Sequence, residues 1–195
     1  MLQLPPMPTW DSLHPLIIHF PIGLLFLCPL FVAISAALRP PKGKPFMIAA
    51  VLVLELGTVS LFVATSTGEA AAKLADRGGA VASVLATHED LATETKVIFT
   101  GLCAILVGMF TLSELLRRQE TRLSSTFLPL AFLALYVVGL LFLVNTAHAG
   151  GRLVHEYGVH AMVPASDKLS GASSIPDQPQ SRGEDDKRPD PSERR

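Results

Sequence analysis

Six histidines are the residues in this sequence best suited to chemistry, and all fall at or near one side of its apolar segments: His14, His19, His88, His148, His155 and His160. Imidazole nitrogen is a common ligand of haem iron and of transition metals. Two imidazoles from facing helices of a bundle often hold a haem. We therefore predict a haem b site with His19 and His148 as axial ligands, His88 as the third candidate and His14 close by.

Carboxylates accompany these histidines and leave a second interpretation open. Glu69 follows Thr67-Gly68, and Glu89 directly follows His88. A set made of His19, His88, His148, Glu69 and Glu89 could bind a Zn, Cu or Fe ion in place of haem. The carboxylates could also serve only to orient the imidazoles. In a third interpretation the histidines are amphipathic residues whose polar tips reach water at a membrane surface.

Glu55 is the one carboxylate deep inside an apolar segment. Acids within the membrane are candidates for proton transfer, so we predict a proton relay at Glu55. The alternative is a neutral, structural glutamate that is hydrogen-bonded to Thr58 or to another helix.

Glycine pairs suggest close packing at two places. Gly150 and Gly151 would let the backbone approach a cofactor closely, and we expect them to break the helix before His155. Gly101 and Gly108 lie seven residues apart, on one face of the third apolar segment, and predict close packing of helices there.

The composition places these residues in a membrane. Hydrophobic residues make up 49% of the 195 residues and charged residues 17%, whereas soluble domains carry about 25% charge. Four apolar stretches are each long enough to span a bilayer, at residues 13–38, 46–67, 96–116 and 126–147. The predicted fold is an all-α integral membrane four-helix bundle, up-down-up-down, with a short helical outer loop and a disordered C-terminal tail. Residues 1–12 form an N-terminal segment, 13–165 the transmembrane domain and 166–195 the tail.

Basic residues predict the orientation of the bundle. They concentrate in the first and third loops: Arg39, Lys42, Lys44, Arg117, Arg118 and Arg122. Such loops face the cytoplasm, so both termini should face outward from a bacterial inner membrane. The formal net charge of −1 argues against nucleic-acid binding. No phosphate-binding loop or dinucleotide fingerprint occurs, so an accessory or electron-transfer role is favoured over a stand-alone enzyme.

Local signals refine the helices. Glu69 to Asp76 reads as a short Ala-rich helix that ends before Gly78-Gly79. Residues 80–96 should be helical and lead directly into the third span. Pro21 and Pro29 should bend the first span because proline lacks a backbone N–H. The sequence shows no internal repeat.

Four separated motifs carry a resemblance to a known family: His14-Pro15-Leu16-Ile17-Ile18-His19-Phe20-Pro21-Ile22-Gly23, Thr67-Gly68-Glu69, His88-Glu89-Asp90-Leu91 and His148-Ala149-Gly150-Gly151-Arg152-Leu153-Val154-His155-Glu156-Tyr157. Together they resemble the bacterial four-span membrane family labelled domain of unknown function 2231, over about residues 10–162. The resemblance implies a compact four-span protein. Its histidine motifs look like those of membrane b-type cytochromes, and from the resemblance we expect an association with respiratory or c-type cytochrome modules. His155 departs from the family pattern, which more often has Tyr there.

The leading hypothesis is therefore a haem b- or metal-binding redox subunit in a lipid bilayer, with its site at the outer face. A c-type cytochrome or another respiratory protein would be its partner. The alternatives are a haem-free metal-binding or sensing membrane protein and a non-catalytic assembly subunit of a respiratory complex. The sequence leaves the oligomeric state open.

Overall fold

The computed structural model describes residues 8–38, 41–75, 78–115 and 126–159. Within these ranges the chain forms helices and no strand: α1 His14–Ile17, α2 His19–Ala37, α3 Lys44–Ala72, α4 Ala80–Leu115 and α5 Leu128–His155. Helices α1 and α2 together make one apolar segment of 24 residues, and α3, α4 and α5 make three more of membrane-spanning length. The all-α fold with four spans is thus confirmed. The predicted tail at 166–195, His160 and the basic cluster at 117–122 lie outside the described residues.

The four long helices pack in a ring. Each contacts the next along the chain, and α5 packs back against α2. Consequently α2 lies diagonally across from α4, and α3 diagonally across from α5. The core between them is apolar, and at its centre Leu25, Leu54, Phe99, Leu106 and Tyr136 are completely buried.

Pro29 leaves one backbone carbonyl in this core without its helical hydrogen bond. It lies inside α2 and has no N–H, so the carbonyl of Leu25, four residues earlier, loses its usual donor. The hydroxyl of Tyr136 on α5 donates to that carbonyl at 2.8 Å. An unsatisfied carbonyl in hydrocarbon is costly, so this contact ties α5 to α2 at one point. Pro21 similarly coincides with the interruption at Ile18 that separates α1 from α2.

Two local predictions about helix ends are wrong. Gly150 and Gly151 do not break α5, which continues to His155. Glycine costs a helix only about 1 kcal/mol, and Ala149 and Leu153 are buried in this part of α5. Glu69 likewise does not begin a separate helix, because α3 continues to Ala72. By contrast, the predicted helix from Ala80 into the third span is confirmed.

Helix α4 is longer than a bilayer is thick. Its 36 residues span about 54 Å, against about 30 Å of hydrocarbon. The first turns of α4 meet the ends of α3 and α5 in a small second core of Ala72, Val84, Leu85 and Leu153. This end also carries His14 and His88, and we call it the histidine end.

Candidate functional site

His14 is tied to helix α3 at the histidine end. Its Nδ1 lies 2.9 Å from the carbonyl oxygen of Ala64 and 3.1 Å from Oγ1 of Thr67. A carbonyl can only accept, so Nδ1 carries the proton and donates it. The second ring nitrogen, Nε2, then keeps its lone pair. His14 is therefore held in the tautomer in which imidazole can bind a metal through Nε2.

Gly68 makes this position possible for the His14 ring. A Cβ at Gly68 would lie 2.8 Å from Cε1 of His14, which is closer than carbon atoms approach. Gly68 is one helical turn beyond Ala64. The edge of the His14 ring therefore contacts α3 at a position that has no side chain. Any larger residue at 68 would push the imidazole away from its hydrogen bond.

His88 on α4 repeats the arrangement against α5. Its Nδ1 lies 3.0 Å from the carbonyl oxygen of Thr146, and a Cβ at Gly150 would lie 3.0 Å from its Cε1. As before, the carbonyl sits four residues ahead of the glycine. Oγ1 of Thr146 also lies 2.8 Å from Oγ1 of Thr95, which is 1% exposed. His88 thus contacts Gly150 directly, which the sequence analysis did not foresee.

The repetition extends one layer into the core. Eleven residues after His14, Leu25 packs against Gly57, and eleven residues after His88, Phe99 packs against Gly139. Gly57 and Gly139 in turn precede Gly68 and Gly150, the glycines that contact the histidines, by eleven residues. An eleven-residue step is close to three turns of an α-helix, so it returns to the same face. The hairpins α2–α3 and α4–α5 therefore share a contact pattern, although the sequence analysis finds no internal repeat.

The two imidazoles belong to parts of the chain that lie on opposite sides of the helix ring. His14 leads into α2 and His88 is on α4, and these helices lie diagonally across the ring. Both histidines lie at the histidine end, where the start of α4 meets the ends of α3 and α5. Bundle cofactor sites are built in this way, from inward side chains on facing helices.

Other predicted site residues lie outside this arrangement. The side chains of His19, His148 and Glu69 are exposed, and none of the three forms a hydrogen bond or ion pair within the described part of the chain. Glu89 is half-buried beside His88. A Cβ at Gly151 would meet no atom within 4 Å, so Gly151, unlike Gly150, has space beside it.

The number of side chains available as ligands limits which metal or cofactor the histidine end could bind. Across the described ranges, no group of three or more His, Cys, Asp or Glu side chains is arranged to hold a metal ion. Protein zinc sites use three or four such ligands, whereas a porphyrin supplies four equatorial nitrogens and leaves only two axial positions to the protein. Two imidazoles are fewer ligands than a zinc site uses and equal the number of axial positions that a haem leaves to the protein.

Glu55 lies near the middle of α3 with its side chain exposed. It forms no hydrogen bond to Thr58. The hydroxyl of Thr58 is buried and has no hydrogen-bond partner among the described residues. The structural alternative foreseen for Glu55, a hydrogen bond to Thr58, is therefore not the arrangement observed.

Sequence reasoning missed the residues that orient the two histidines. Thr67, Thr95 and Thr146 read as ordinary small residues of apolar helices, and backbone carbonyls carry no sequence signal. One signal was present in the sequence. Gly57 and Gly68 of α3, like Gly139 and Gly150 of α5, are eleven residues apart. The same spacing separates each histidine from the large apolar residue that packs against the first glycine of the pair.

Comparison with known proteins agrees with this fold. A family model described as "Predicted membrane protein (DUF2231)" matches residues 11–162. The chain belongs to this family. The match covers all five helices, so the resemblance inferred from the four motifs is confirmed, and the protein is an integral membrane protein. No curated protein and no solved structure matches the chain.

Proposed function

We propose that this protein is an electron-transfer subunit of the membrane that binds haem b at the histidine end, with His14 and His88 as axial ligands. The observation that carries the proposal is the matched pair of Nδ1 hydrogen bonds, to Ala64 at 2.9 Å and to Thr146 at 3.0 Å. A metal-binding histidine usually donates its other ring N–H to a carbonyl or carboxylate. Both imidazoles are oriented in this way.

This proposal changes the ligand pair expected from the sequence. His19 and His148 were the first choice, but their side chains are exposed and no hydrogen bond within the described residues fixes either ring. An imidazole free to rotate loses more entropy when it binds a metal than one already held in place. His14 and His88 avoid that loss because Ala64, Thr67 and Thr146 hold them.

The small second core supports the same location. Val84, Leu85 and Leu153 are buried just beyond His88, so apolar side chains cover this part of the bundle. An apolar shell limits water access and helps to set a redox potential. When bound, haem supplies reversible one-electron chemistry; the helices would hold it and restrict its access to solvent.

The charges of the loops predict which side of the membrane the histidine end faces. The basic first and third loops favour the cytoplasm, which would place the histidine end on the outer side of a bacterial inner membrane. A c-type cytochrome or another respiratory protein on that side is the partner we propose. Glu55 is too far along α3 to belong to the haem site, and its predicted role as a proton relay is kept as a separate proposal.

The experiment is a comparison of absorption spectra after purification of the full chain from haem-supplied cells. We expect a Soret band with the low-spin pattern typical of two imidazole ligands. His14→Ala and His88→Ala should each remove most of the haem, and added free imidazole should restore part of the spectrum. His19→Ala and His148→Ala are matched controls and should keep wild-type haem content.

Three results would overturn the proposal. They are haem-free protein under these conditions, full haem content in both His14→Ala and His88→Ala, and loss of haem in the His19 and His148 variants alone. Elemental analysis of the same preparations identifies the haem-free alternative, which requires zinc, copper or iron without porphyrin.

A further inference from the structure

A polar side chain without a partner lies on the outer surface of the bundle, far from the histidine end. Glu55 is near the middle of α3 and is exposed, with Leu52, Leu56 and Val59 around it at 53%, 60% and 62% exposure. In a bilayer this surface faces lipid tails. A carboxyl group there costs about 2.5–3.5 kcal/mol on insertion scales unless another group pairs with it.

This chain supplies no such partner among its described residues. Glu55 forms no hydrogen bond or ion pair there, and the nearby Thr58 hydroxyl does not bond to it. The described cation of α4, Lys96, lies over the ring of Phe62, two helical turns from Glu55 along α3, and forms no ion pair with Glu55. A polar group that meets Glu55 therefore comes from outside the described part of this chain.

The neighbouring helix offers a surface that favours close approach. Gly101, Ala104 and Gly108 on α4 are exposed, and a Cβ at either glycine would meet no atom within 4 Å. The close packing predicted at these glycines is therefore not supplied by another described helix of this chain. In membranes, exposed small residues mark surfaces where another helix approaches. Helices α3 and α4 pack against each other, so this surface of α4 adjoins the helix that carries Glu55.

We infer that the surface formed by Glu55 and its neighbours on α3 and by Gly101–Gly108 on α4 binds a second copy of this chain. Copies inserted in the same orientation are related by a twofold axis along the membrane normal. A residue at such an axis meets its own counterpart. A neutral carboxylic acid is both donor and acceptor, so two Glu55 side chains can satisfy each other without any other partner. This interface does not depend on haem.

The first test measures dimer affinity for full-length protein in lipid vesicles, by energy transfer between labelled copies over a series of protein-to-lipid ratios. Glu55→Leu should weaken the dimer by about threefold to tenfold, which is the usual worth of one interhelical hydrogen bond in a membrane. Glu55→Gln keeps a donor and an acceptor and should stay close to wild type. Asn145→Leu removes an exposed polar group of α5 and is the control, with no change expected.

The second test locates the interface by cross-linking. With Cys103→Ala as the background, Leu52→Cys and Val59→Cys should form disulfide-linked dimers in vesicles on mild oxidation, whereas Leu141→Cys on the exposed surface of α5 should not. Cys28 is fully buried and stays in place. Monomeric wild-type protein at every ratio, equal cross-linking through α5, or Glu55→Leu with wild-type affinity would each overturn the inference. Association only with a different membrane protein would do so as well.

Discussion

His88 packs against Gly150, its Cε1 3.0 Å from where a glycine Cβ would be, while its Nδ1 donates to the carbonyl of Thr146 one turn away. The glycine thus serves neither as a helix stop nor as a hinge. It clears one turn of α5 so that an imidazole from α4 can reach the backbone. His14 of α1 and Gly68 of α3 are arranged in the same way.

Glycine-to-alanine substitutions should separate this role from helix propensity. Alanine favours a helix over glycine by about 1 kcal/mol, yet Gly68→Ala and Gly150→Ala should destabilise the protein. The new Cβ displaces the imidazole and breaks a hydrogen bond worth about 1 kcal/mol or more. Thermal unfolding in detergent measures the difference, and haem content should fall with it.

The control for that prediction is Gly101→Ala, because a Cβ there would meet no atom within 4 Å. In detergent-solubilised monomer this variant should be as stable as wild type or slightly more so. Equal stability of Gly150→Ala and Gly101→Ala would contradict the role assigned to Gly150.

Tyr136→Phe tests the contact created by Pro29. Loss of the hydroxyl leaves the Leu25 carbonyl buried without a donor, at a cost of about 1–3 kcal/mol. The free energy of unfolding should fall by that amount while haem content stays near wild type. Tyr157→Phe is the matched control, because among the described residues the Tyr157 hydroxyl accepts a hydrogen bond only from the Arg152 side chain, at 3.5 Å. If Tyr136→Phe left the free energy of unfolding unchanged, the Leu25 carbonyl would have another donor.

The paired threonines beside His88 should respond unequally. Thr146 donates its hydroxyl to the carbonyl of Phe142 at 2.9 Å, so its oxygen accepts the hydroxyl of Thr95. Thr146→Val leaves the Thr95 hydroxyl buried without an acceptor, whereas Thr95→Val removes that donor altogether. The free energy of unfolding should therefore fall more in Thr146→Val, by about 1 kcal/mol.

The double variant Thr95→Val with Thr146→Val completes that cycle. It should be less destabilised than the sum of the single variants, since residues in contact are not additive. Strict additivity would mean that the two hydroxyls do not interact.

Gly43→Ala probes the turn into α3 at the opposite end of the bundle. A Cβ there would lie 2.5 Å from the carbonyl oxygen of Ser35, which is backbone and cannot move aside as a side chain can. We expect lower stability and increased proteolysis near this turn. Gly23→Ala, which has open space around its Cβ, should behave as wild type. Normal protease resistance of Gly43→Ala would contradict the prediction.

Much of the fold follows from composition and periodicity because a bilayer leaves so few choices. Without water to satisfy the backbone, long apolar stretches become helices, and the predicted spans correspond to α1–α2, α3, α4 and α5. Helix ends were less predictable. The Gly150-Gly151 pair has the composition of a stop, but burial of Ala149 and Leu153 outweighs the small cost of glycine.

By itself the sequence determined that this is a four-span membrane protein of its family with histidines gathered toward one end. Only the tertiary structure decided which histidines have fixed rings. Sequence spacing placed His19 and His148 at similar depth, but a ring is oriented by a carbonyl on another helix. Ala64 and Thr146 are 50 and 58 residues away from the histidines they orient. Such long-range contacts to the backbone depend on how helices pack, and side-chain identity alone does not encode them.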